Sequence, residues 1–301
     1  HFMLDGRLKV ESVAVPGRPK WSVRTTRDAA DGGRLRVHVQ KPGGDPWPEE
    51  LALEFRYAGP VGENSATVKD GETWVLAGGD GFYPRRDAPG GALEWLTFEL
   101  TVQTPVPWIA VSQGRKAASH RKEGRESVTW VSGEPMQEIY LIADRYKETR
   151  EKHGRMSLHT FLLDDEPALS RRYLDAAKKY IDFYQKLLGP YSFPKFALVE
   201  NSRQTGYGMP SFTLLGSQVI RFPFILHTSY PHEILHNWWG NGVYVKGGNW
   251  SEGLTAYLAD HLQSELSGRG EVYRFEELKK YLSYVNPGND FSLADFANAK
   301  T

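Results

Sequence analysis

The amino-acid sequence predicts an α+β fold, in which a mostly antiparallel β domain precedes a domain of mixed α and β structure. The length of 301 residues suits two domains better than one. From about residue 7 to residue 150, short runs of alternating apolar and polar residues are broken by Gly, Pro and Asp, which is typical of half-buried antiparallel strands. The later residues show helical spacing around short apolar runs. We therefore predict an N-terminal β domain over 1–152 and a second domain over 153–301.

The composition excludes several classes of function. Lys plus Arg and Asp plus Glu both number 37, so that the net charge is zero and no nucleic-acid or anionic-membrane partner is expected. The absence of cysteine excludes disulfides and thiolate chemistry. No apolar run approaches the roughly eighteen residues of a membrane span, so no integral membrane segment is expected. The opening HFM is typical of a cloning remnant, which leaves a preceding signal peptide, the compartment (cytoplasmic or periplasmic) and the oligomeric state open.

Strands are predicted wherever apolar residues alternate in the first half. These residues are Leu35, Val37 and Val39; Leu51, Leu53, Phe55 and Tyr57; and Leu96, Phe98 and Leu100. The Gly- and Pro-rich stretch 78–91 is predicted to be a long connection. The polar stretch DRYKETREKHGR (144–155) is predicted to separate the two halves.

The second half begins with a long predicted helix. Apolar residues recur at helical spacing after Pro167 and stop at Gly189, which gives an amphipathic helix with ordinary start and stop signals. A short apolar strand is predicted over 196–199 and a second one near 214–220. Helix is predicted to dominate the remainder.

The stretch SYPHEILHNWWGN (229–241) carries the first candidate ligands. Pro231 suits the first turn of a helix, with Thr228 or Ser229 as its cap. In such a helix His232 and His236 lie one turn apart on one face, so that both imidazoles can reach a single ion.

Glu233 follows the first histidine and is rotated by about 100° from it around the helix axis. It therefore lies beside the ion, where a carboxylate can take a proton from water. Zinc suits imidazole and carboxylate ligands. The alternative is a helix with two hydrogen-bonded histidines and no metal.

A third candidate ligand follows in GGNWSEGLTAYLADHLQSEL. Ser251 is predicted to cap a helix that ends at Gly268, and Glu252 lies in its first turn. Many first-turn glutamates only complement the helix dipole, which is the alternative here. Two histidines and one glutamate, with a fourth position open, form the ligand set of a hydrolytic zinc site.

Together, HEILHNWWGN and NWSEGLTAYLADH resemble the zinc aminopeptidase family that includes membrane alanyl aminopeptidase and leukotriene hydrolase, which are gluzincin metallopeptidases. The resemblance implies a saddle- or sandwich-like β domain followed by a thermolysin-like catalytic domain. It also implies one Zn²⁺ per chain, bound by His232, His236 and Glu252. Glu233 would be the general base of peptide hydrolysis, and a peptide would be the substrate.

Other motifs extend the resemblance. The stretches 82–89 and 135–144, and the helix ending in LLGPYSFPKFALVE, are similar to parts of the family. TGYGMPSFTLLGS (205–217) stands where the family has its Gly-x-Met-Glu-Asn substrate strand. The residues expected to bind substrate are Gly206, Tyr207, Gly208, Met209 and Pro210.

Two departures from the family concern the length of the chain. Fifteen residues separate His236 from Glu252, where the family usually has about eighteen, and the difference falls in the loop VYVKGGNW. The resemblance implies that the chain stops at Thr301 inside the catalytic domain, before the position of the family's oxyanion-binding tyrosine. Tyr281 and Tyr284 are interpreted as packing residues of a helix from residue 271.

A third departure concerns the substrate's N-terminus. Pro210 and Ser211 replace the Glu and Asn of the family motif, and that glutamate pairs with the substrate's α-ammonium in the family. An aminopeptidase-like activity with altered recognition of the N-terminus is therefore expected, unless Glu200 or Glu138 substitutes for the missing acid. Two alternatives stay open: a catalytically silent scaffold protein with the same fold, and a non-enzymatic protein with an accidental motif.

Overall fold

The computed structural model describes residues 1–28, 34–44, 46–61, 72–86, 95–244 and 248–292. Contacts divide the chain into two compact units, of which the first comprises 1–98, 110–112 and 135–143 and the second comprises 99–109, 113–134 and 144–301. The predicted α+β class is confirmed, because antiparallel sheets form the first unit, whereas a mixed sheet and helices form most of the second. The domain boundary at residues 152 and 153 stays a prediction.

Twelve of the described strands lie in the N-terminal part of the chain. They are β1 (Phe2–Leu4), β2 (Lys9–Ala14), β3 (Ser22–Asp28), β4 (Arg34–Gln40), β5 (Glu54–Ala58), β6 (Trp74–Leu76), β7 (Arg85–Arg86), β8 (Glu99–Pro105), β9 (Ile109–Val111), β10 (Arg115–Lys122), β11 (Arg125–Val131) and β12 (Leu141–Asp144). In the first unit the strand orders are β3-β4-β1-β7, β2-β5 and β6-β12-β9.

The apolar residues that alternate with polar ones in β4 form part of the core of the first unit. Leu35 and Val37 point inward, and they pack with Leu4 and Leu8 in one apolar cluster. Two predicted strands are shorter than expected: β5 begins only at Glu54, and Leu96 makes one isolated bridge before β8 begins. The predicted connection over 78–91 contains β7, and residues 87–91 lie outside the described residues, as does part of the stretch 82–89.

The second unit contains two sheets. Its C-terminal strands are β13 (Lys147–His153), β14 (Met156–Leu162), β15 (Lys195–Asn201), β16 (Gly206–Met209) and β17 (Phe212–Gly216). They form a sheet of order β13-β14-β15-β17-β16, and β10-β11-β8 form the other sheet. The polar stretch 144–155, predicted to separate the halves, begins where the second unit resumes at residue 144 and contains β13. Its charged side chains suit the edge of the sheet, where one face remains in contact with water.

The centre of the five-stranded sheet explains the continuous apolar run in the sequence. All residues of β15 are buried, and β15 pairs in parallel with both β14 and β17. The strand predicted over 196–199 is confirmed and is longer than expected. The strand predicted near 214–220 is only partly right, because β17 ends at Gly216 and a 3₁₀ turn follows at Val219–Arg221.

The helices lie in the second unit, apart from a 3₁₀ turn at Gly78–Asp80. They are α1 (Pro167–Leu188), a 3₁₀ helix (Pro223–His227), α2 (Ser229–Leu235), α3 (Trp250–Thr255), a π-helical segment (Ala256–His261), α4 (Leu262–Leu266) and α5 (Gly270–Tyr284). The long predicted helix is confirmed by α1. The interpretation of Tyr281 and Tyr284 as packing residues is wrong, because their exposed fractions in α5 are 49% and 77%.

Helix α2 is held against α1 by aromatic residues. The rings of Tyr173 and Tyr230 meet edge to face, with centroids 4.7 Å apart, an arrangement that stabilises by about 0.5–1.5 kcal/mol. The indole Nε1 of Trp238 donates to the carbonyl oxygen of Gly189, which terminates α1. These contacts fix the helix that carries the histidines. Within the described part of the chain, no helix has the length and apolar character needed to cross a bilayer.

Candidate metal centre

Helix α2 places the two histidines as the sequence predicts. His232 and His236 lie one turn apart, and their ring centroids are 4.9 Å apart. The helix begins at Ser229 rather than at Pro231, and Thr228 does not cap it with its side chain, because the Thr228 hydroxyl donates to the carbonyl oxygen of Phe224 instead. Thr228 thus occupies the predicted cap position, and Pro231 lies in the first turn instead of opening the helix, without effect on the histidine face.

Glu252 approaches both imidazoles. Its Oε1 lies 3.0 Å from Nε2 of His232, and its Oε2 lies 3.3 Å from Nε2 of His236. The helix that carries Glu252 begins at Trp250, so that Ser251 lies inside it and is not the predicted cap. Among the residues that the structure describes, these three form the one group of His, Cys, Asp or Glu that could hold a metal ion.

The spacing of the candidate ligand atoms suits zinc. In a tetrahedral centre with bonds of about 2.0–2.1 Å, neighbouring ligand atoms lie about 3.3 Å apart. Oε1 of Glu252 is 3.0 Å from Nε2 of His232 and Oε2 is 3.3 Å from Nε2 of His236, so that each oxygen is near this distance from one imidazole, and one ligand atom from each of the three residues lies within 4.8 Å of the others. The side chains of the three residues are partly exposed, which leaves room for a fourth ligand. The residues present therefore fit a catalytic zinc ion.

The other ring nitrogen of each histidine has a partner of its own. Nδ1 of His232 lies 3.1 Å from Oδ2 of Asp260, and Nδ1 of His236 lies 3.1 Å from the carbonyl oxygen of Trp239. A carbonyl oxygen only accepts hydrogen bonds, so Nδ1 of His236 carries a proton, and Nε2 is the atom that would bind a metal in place of a proton. Asp260 likewise holds Nδ1 of His232, so that a metal that displaced the proton on Nε2 would leave the same tautomer.

Asp260 is not among the predicted site residues. It lies two turns after Glu252 in LTAYLADH, and the only signal was its place on the helix that supplies the third ligand. The chain between these residues changes from α-helix to π-helix at Ala256–His261, which rotates Asp260 relative to a regular helix. Residues 245–247 of the loop before Trp250, where the spacing departs from the family, lie outside the described residues.

The electrostatics of the group follow from its contacts. Burial lowers the pKa of His232, but hydrogen bonds to Asp260 and Glu252 outweigh it and raise the pKa to about 10. Hydrogen bonds from both histidines hold the pKa of Glu252 well below its usual range. Burial raises the pKa of Glu233, against the charges of the neighbouring histidines. Without a metal, His232 thus holds a proton against the ionised Glu252, and a bound cation would take the place of that proton.

Strand β16 lies directly against Glu233. A β carbon on Gly208 would lie 2.7 Å from Oε2 of Glu233 and 2.9 Å from Cβ of His236, and one on Gly206 would lie 3.7 Å from Oε1 of Glu233. Only glycine permits so close an approach at residue 208. The strand is the last of its sheet, since β17 pairs with its other side. Its outer edge is therefore placed to pair with an extended peptide beside Glu233.

The end of β16 carries no negative charge. Pro210 is buried, and Ser211 has a φ of 68° in the tight turn to β17. Of the two proposed replacement acids, Glu200 is buried, and its carboxylate accepts hydrogen bonds from Arg221 and from the backbone N–H of Leu163. Glu138 lies in the first unit, where its carboxylate accepts hydrogen bonds from the N–H of Gly78 and the hydroxyl of Tyr140. Both carboxylates are thus engaged.

A cavity of about 870 Å³ adjoins the centre. His232, Glu233 and Asp260 line it, together with residues of α1, α4 and α5. Its volume is within the range of small-molecule sites, and it can take one or two amino-acid side chains.

The structure is similar to solved structures of zinc metallopeptidases. The M1 zinc metallopeptidase of Deinococcus radiodurans matches with a TM-score of 0.65 at 18% sequence identity, over 97% of this chain and 68% of that one. A mutant of that metallopeptidase bound to a Tyr-Ser-Ala substrate matches with a TM-score of 0.64 at 18% identity, over 98% and 71% of the two chains. A mutant of a two-domain M1 zinc metallopeptidase bound to L-arginine gives a TM-score of 0.62 at 17% identity, over the same shares.

These matches show the fold. The chain folds as the M1 zinc metallopeptidases do. No family model matches the sequence, and no curated protein matches it at significant similarity. The structure brings His232, His236 and Glu252 together and places Glu233 beside the substrate strand predicted over residues 206–210. Their assigned roles stay predictions.

Proposed function

We propose that the protein is a zinc-dependent peptidase of aminopeptidase type, with altered recognition of the substrate's N-terminus. One observation carries the proposal: the carboxylate of Glu252 lies within 3.0 and 3.3 Å of the Nε2 atoms of His232 and His236, while Glu233 faces strand β16. The carboxylate of Glu233 would thus lie between the metal site and the strand edge that binds the peptide. The fold of the M1 zinc metallopeptidases supports the same conclusion.

Each residue has a separate task in this proposal. His232, His236 and Glu252 would hold one zinc ion, which when bound supplies Lewis acidity that polarises the scissile carbonyl and acidifies water. Glu233 takes a proton from the attacking water and delivers it to the leaving amine. Asp260 and the carbonyl oxygen of Trp239 keep both imidazoles in the tautomer that leaves Nε2 free.

The edge of β16 orients the peptide. Its backbone pairs with an extended substrate, and Gly208 lets that backbone approach Glu233 closely. At the end of the strand, the side chain of Pro210 offers neither a negative charge nor a hydrogen-bond acceptor to a free α-ammonium. An ammonium without a carboxylate partner loses a charge-assisted bond worth roughly 2 kcal/mol. The enzyme should therefore discriminate poorly between free and acetylated N-termini.

The proposal is tested with purified protein and two matched fluorogenic peptides, one with a free and one with an acetylated N-terminus. We expect about one zinc per chain by elemental analysis, hydrolysis that a chelator abolishes and zinc restores, and rates for the two peptides that differ by less than roughly a hundredfold. Absence of stoichiometric zinc would refute the metal site. A preference of a hundredfold or more for the free amine would refute the altered recognition alone.

The same experiment distinguishes the alternative of a silent scaffold. Such a protein would bind zinc without hydrolysing either peptide. The presence of Glu233 favours the peptidase over the scaffold, because a scaffold has no need of a proton acceptor beside the metal ligands.

A further inference from the structure

Asn237 occupies a buried position between the histidine helix and the substrate strand. It follows His236 directly and is 1% exposed. Its Oδ1 accepts hydrogen bonds from the N–H of Ser211 at 2.8 Å and from the hydroxyl of Tyr191 at 3.1 Å. Its Nδ2 donates to the carbonyl oxygens of Ile234 at 3.0 Å and Glu233 at 3.5 Å. Both ends of the amide are therefore used, one toward the strand and the other toward the helix that carries the base.

Ser211, which donates a hydrogen bond to Asn237, has an unusual backbone conformation. Its φ of 68° is in the left-handed region, which a residue with a β carbon adopts only at a cost, and it is fully buried. Every polar group of the residue is satisfied. Its N–H donates to Asn237, its carbonyl oxygen accepts from the N–H of Ala197, and its hydroxyl accepts from the N–H of Gly114. Such a conformation persists because the surrounding contacts determine it.

The turn that contains Ser211 sets the position of β16. The strand runs back from this turn, and Gly208 comes so close to Glu233 and His236 that a shift of a few tenths of an ångström would change the contact. The side-chain amide of Asn241 donates to the carbonyl oxygen of Gly208 at 3.1 Å and holds the strand at a second point. The distance between the strand and the base thus depends on side chains that follow His236 in sequence.

We propose that Asn237 is a positioning residue, which fixes strand β16, and hence a peptide paired to it, relative to the carboxylate of Glu233. This inference rests on the proposed function, because positioning matters only if Glu233 acts on a bound peptide. Asn237 has no contact with the ligand atoms of the metal site in this arrangement. It acts through its hydrogen bonds to the backbone of Ser211 and of helix α2. Its loss should therefore change the position of β16 relative to Glu233 and leave the zinc content unchanged.

The test compares Asn237→Ala with Thr160→Val in the zinc-loaded protein. Thr160 is buried in β14 of the same sheet and donates to the hydroxyl of Ser170, so its replacement removes a buried hydrogen bond without altering α2. Asn237→Ala should keep one zinc per chain and lower kcat by at least roughly tenfold, with a smaller change in KM, because misplaced reacting groups slow the chemical step. Thr160→Val should keep kcat within about twofold of the wild type.

A second measurement does not depend on turnover. Hydrogen-exchange mass spectrometry of the segment 206–213 should show exchange at least roughly tenfold faster in Asn237→Ala and unchanged in Thr160→Val. Equal exchange in the two variants, or a kcat of Asn237→Ala equal to that of Thr160→Val, would overturn the inference. A zinc-loaded wild type without peptidase activity would refute the proposed function instead, and the exchange of segment 206–213 would still show whether Asn237 holds the strand.

Discussion

Oδ2 of Asp260 lies 3.1 Å from Nδ1 of His232, while Nε2 of the same ring faces Glu252 at 3.0 Å. One imidazole is thus held between two carboxylates, of which one can share a metal with it and the other can only orient it. A carboxylate behind a ligating histidine fixes the tautomer and strengthens the nitrogen as a ligand. This arrangement extends the candidate centre beyond the three residues that would contact the ion.

Removal of the orienting carboxylate should weaken the metal site. We expect Asp260→Ala to lower the affinity for Zn²⁺ by about 10- to 100-fold, because His232 loses the partner that fixes its ring. Competition with a chromogenic chelator measures this affinity. Asp182→Ala is the matched control, since Asp182 lies 2.7 Å from Nε2 of His153 outside the centre, and its loss should leave zinc affinity unchanged. Equal affinities of Asp260→Ala and the wild type would refute the assigned role.

Glu233 is assigned to proton transfer and not to metal binding. Glu233→Gln keeps the shape of the side chain but removes its capacity to accept a proton. We expect this variant to bind one zinc per chain and to turn over peptides at least roughly 10²-fold more slowly than the wild type. Glu276→Gln, on the exposed face of α5, is the control for the chemical change and should retain full turnover. Loss of zinc from Glu233→Gln would show instead that this residue is a ligand.

The sequence predicts those parts of the site that depend on local geometry. Two histidines four residues apart share a helix face in any regular helix, so that the pair could be predicted without tertiary information. Helix α1 follows from its apolar spacing and from the Pro and Gly residues at its ends. The parallel strand β15 could be recognised because all its residues are buried, which produces a continuous apolar run.

Other features depend on contacts between distant residues. Asp260 reaches His232 from a π-helical segment, which the sequence does not signal. Strand β13 is polar enough to suggest a linker, and only its pairing with β14 makes it a strand. The role of Asn237 depends on Ser211, which is 26 residues earlier and belongs to another element. Such contacts follow from the fold and could not be predicted from one stretch of sequence.

The close contact between β16 and α2 can be tested by adding a single methyl group to β16. Gly208→Ala places a β carbon 2.7 Å from Oε2 of Glu233 and 2.9 Å from Cβ of His236, so that the strand or the helix must move. We expect kcat/KM to fall by at least roughly tenfold, since small displacements of a reacting group cost this much or more. Gly206→Ala is the control, because its β carbon would make an ordinary contact at 3.7 Å. Equal activity of the two variants would show that β16 does not lie so close to the base.

The buried ammonium of Lys195 is a separate feature of the second unit. The side chain at the start of β15 is fully buried, and Nζ lies 4.8 Å from the ring centroid of Trp130 and 5.3 Å from that of Phe212. Burial lowers the pKa of Lys195 to about 7, although the nearby charge of Glu148 opposes the shift. The folded protein therefore holds this proton more weakly than the unfolded chain does.

Two other ionisable groups near Lys195, the side chains of Glu148 and His159, have pKa values below that of Lys195. Burial raises the pKa of Glu148, but hydrogen bonds from His159 and Lys116 outweigh it and lower the pKa to about 2, so that this carboxylate is ionised at neutral pH. Burial lowers the pKa of His159 below its ordinary value of 6.5, against the hydrogen bond to Glu148. Above pH 7.5, Glu148 is therefore charged and His159 is neutral, whereas Lys195 is protonated only in the unfolded chain.

The stability of the protein should accordingly rise with pH relative to a variant without this amine. Between a folded pKa of about 7 and an unfolded pKa of about 10.4, the unfolded state binds nearly one more proton, which gives a slope of about 1.3 kcal/mol per pH unit. We expect the free energy of unfolding of the wild type, minus that of Lys195→Met, to increase by this amount between pH 8 and pH 9 in urea titrations, and to be constant below pH 6. Lys279→Met, at an exposed lysine of α5, should show no such slope. A constant difference between wild type and Lys195→Met from pH 6 to pH 9 would mean that Lys195 keeps its proton when it is buried.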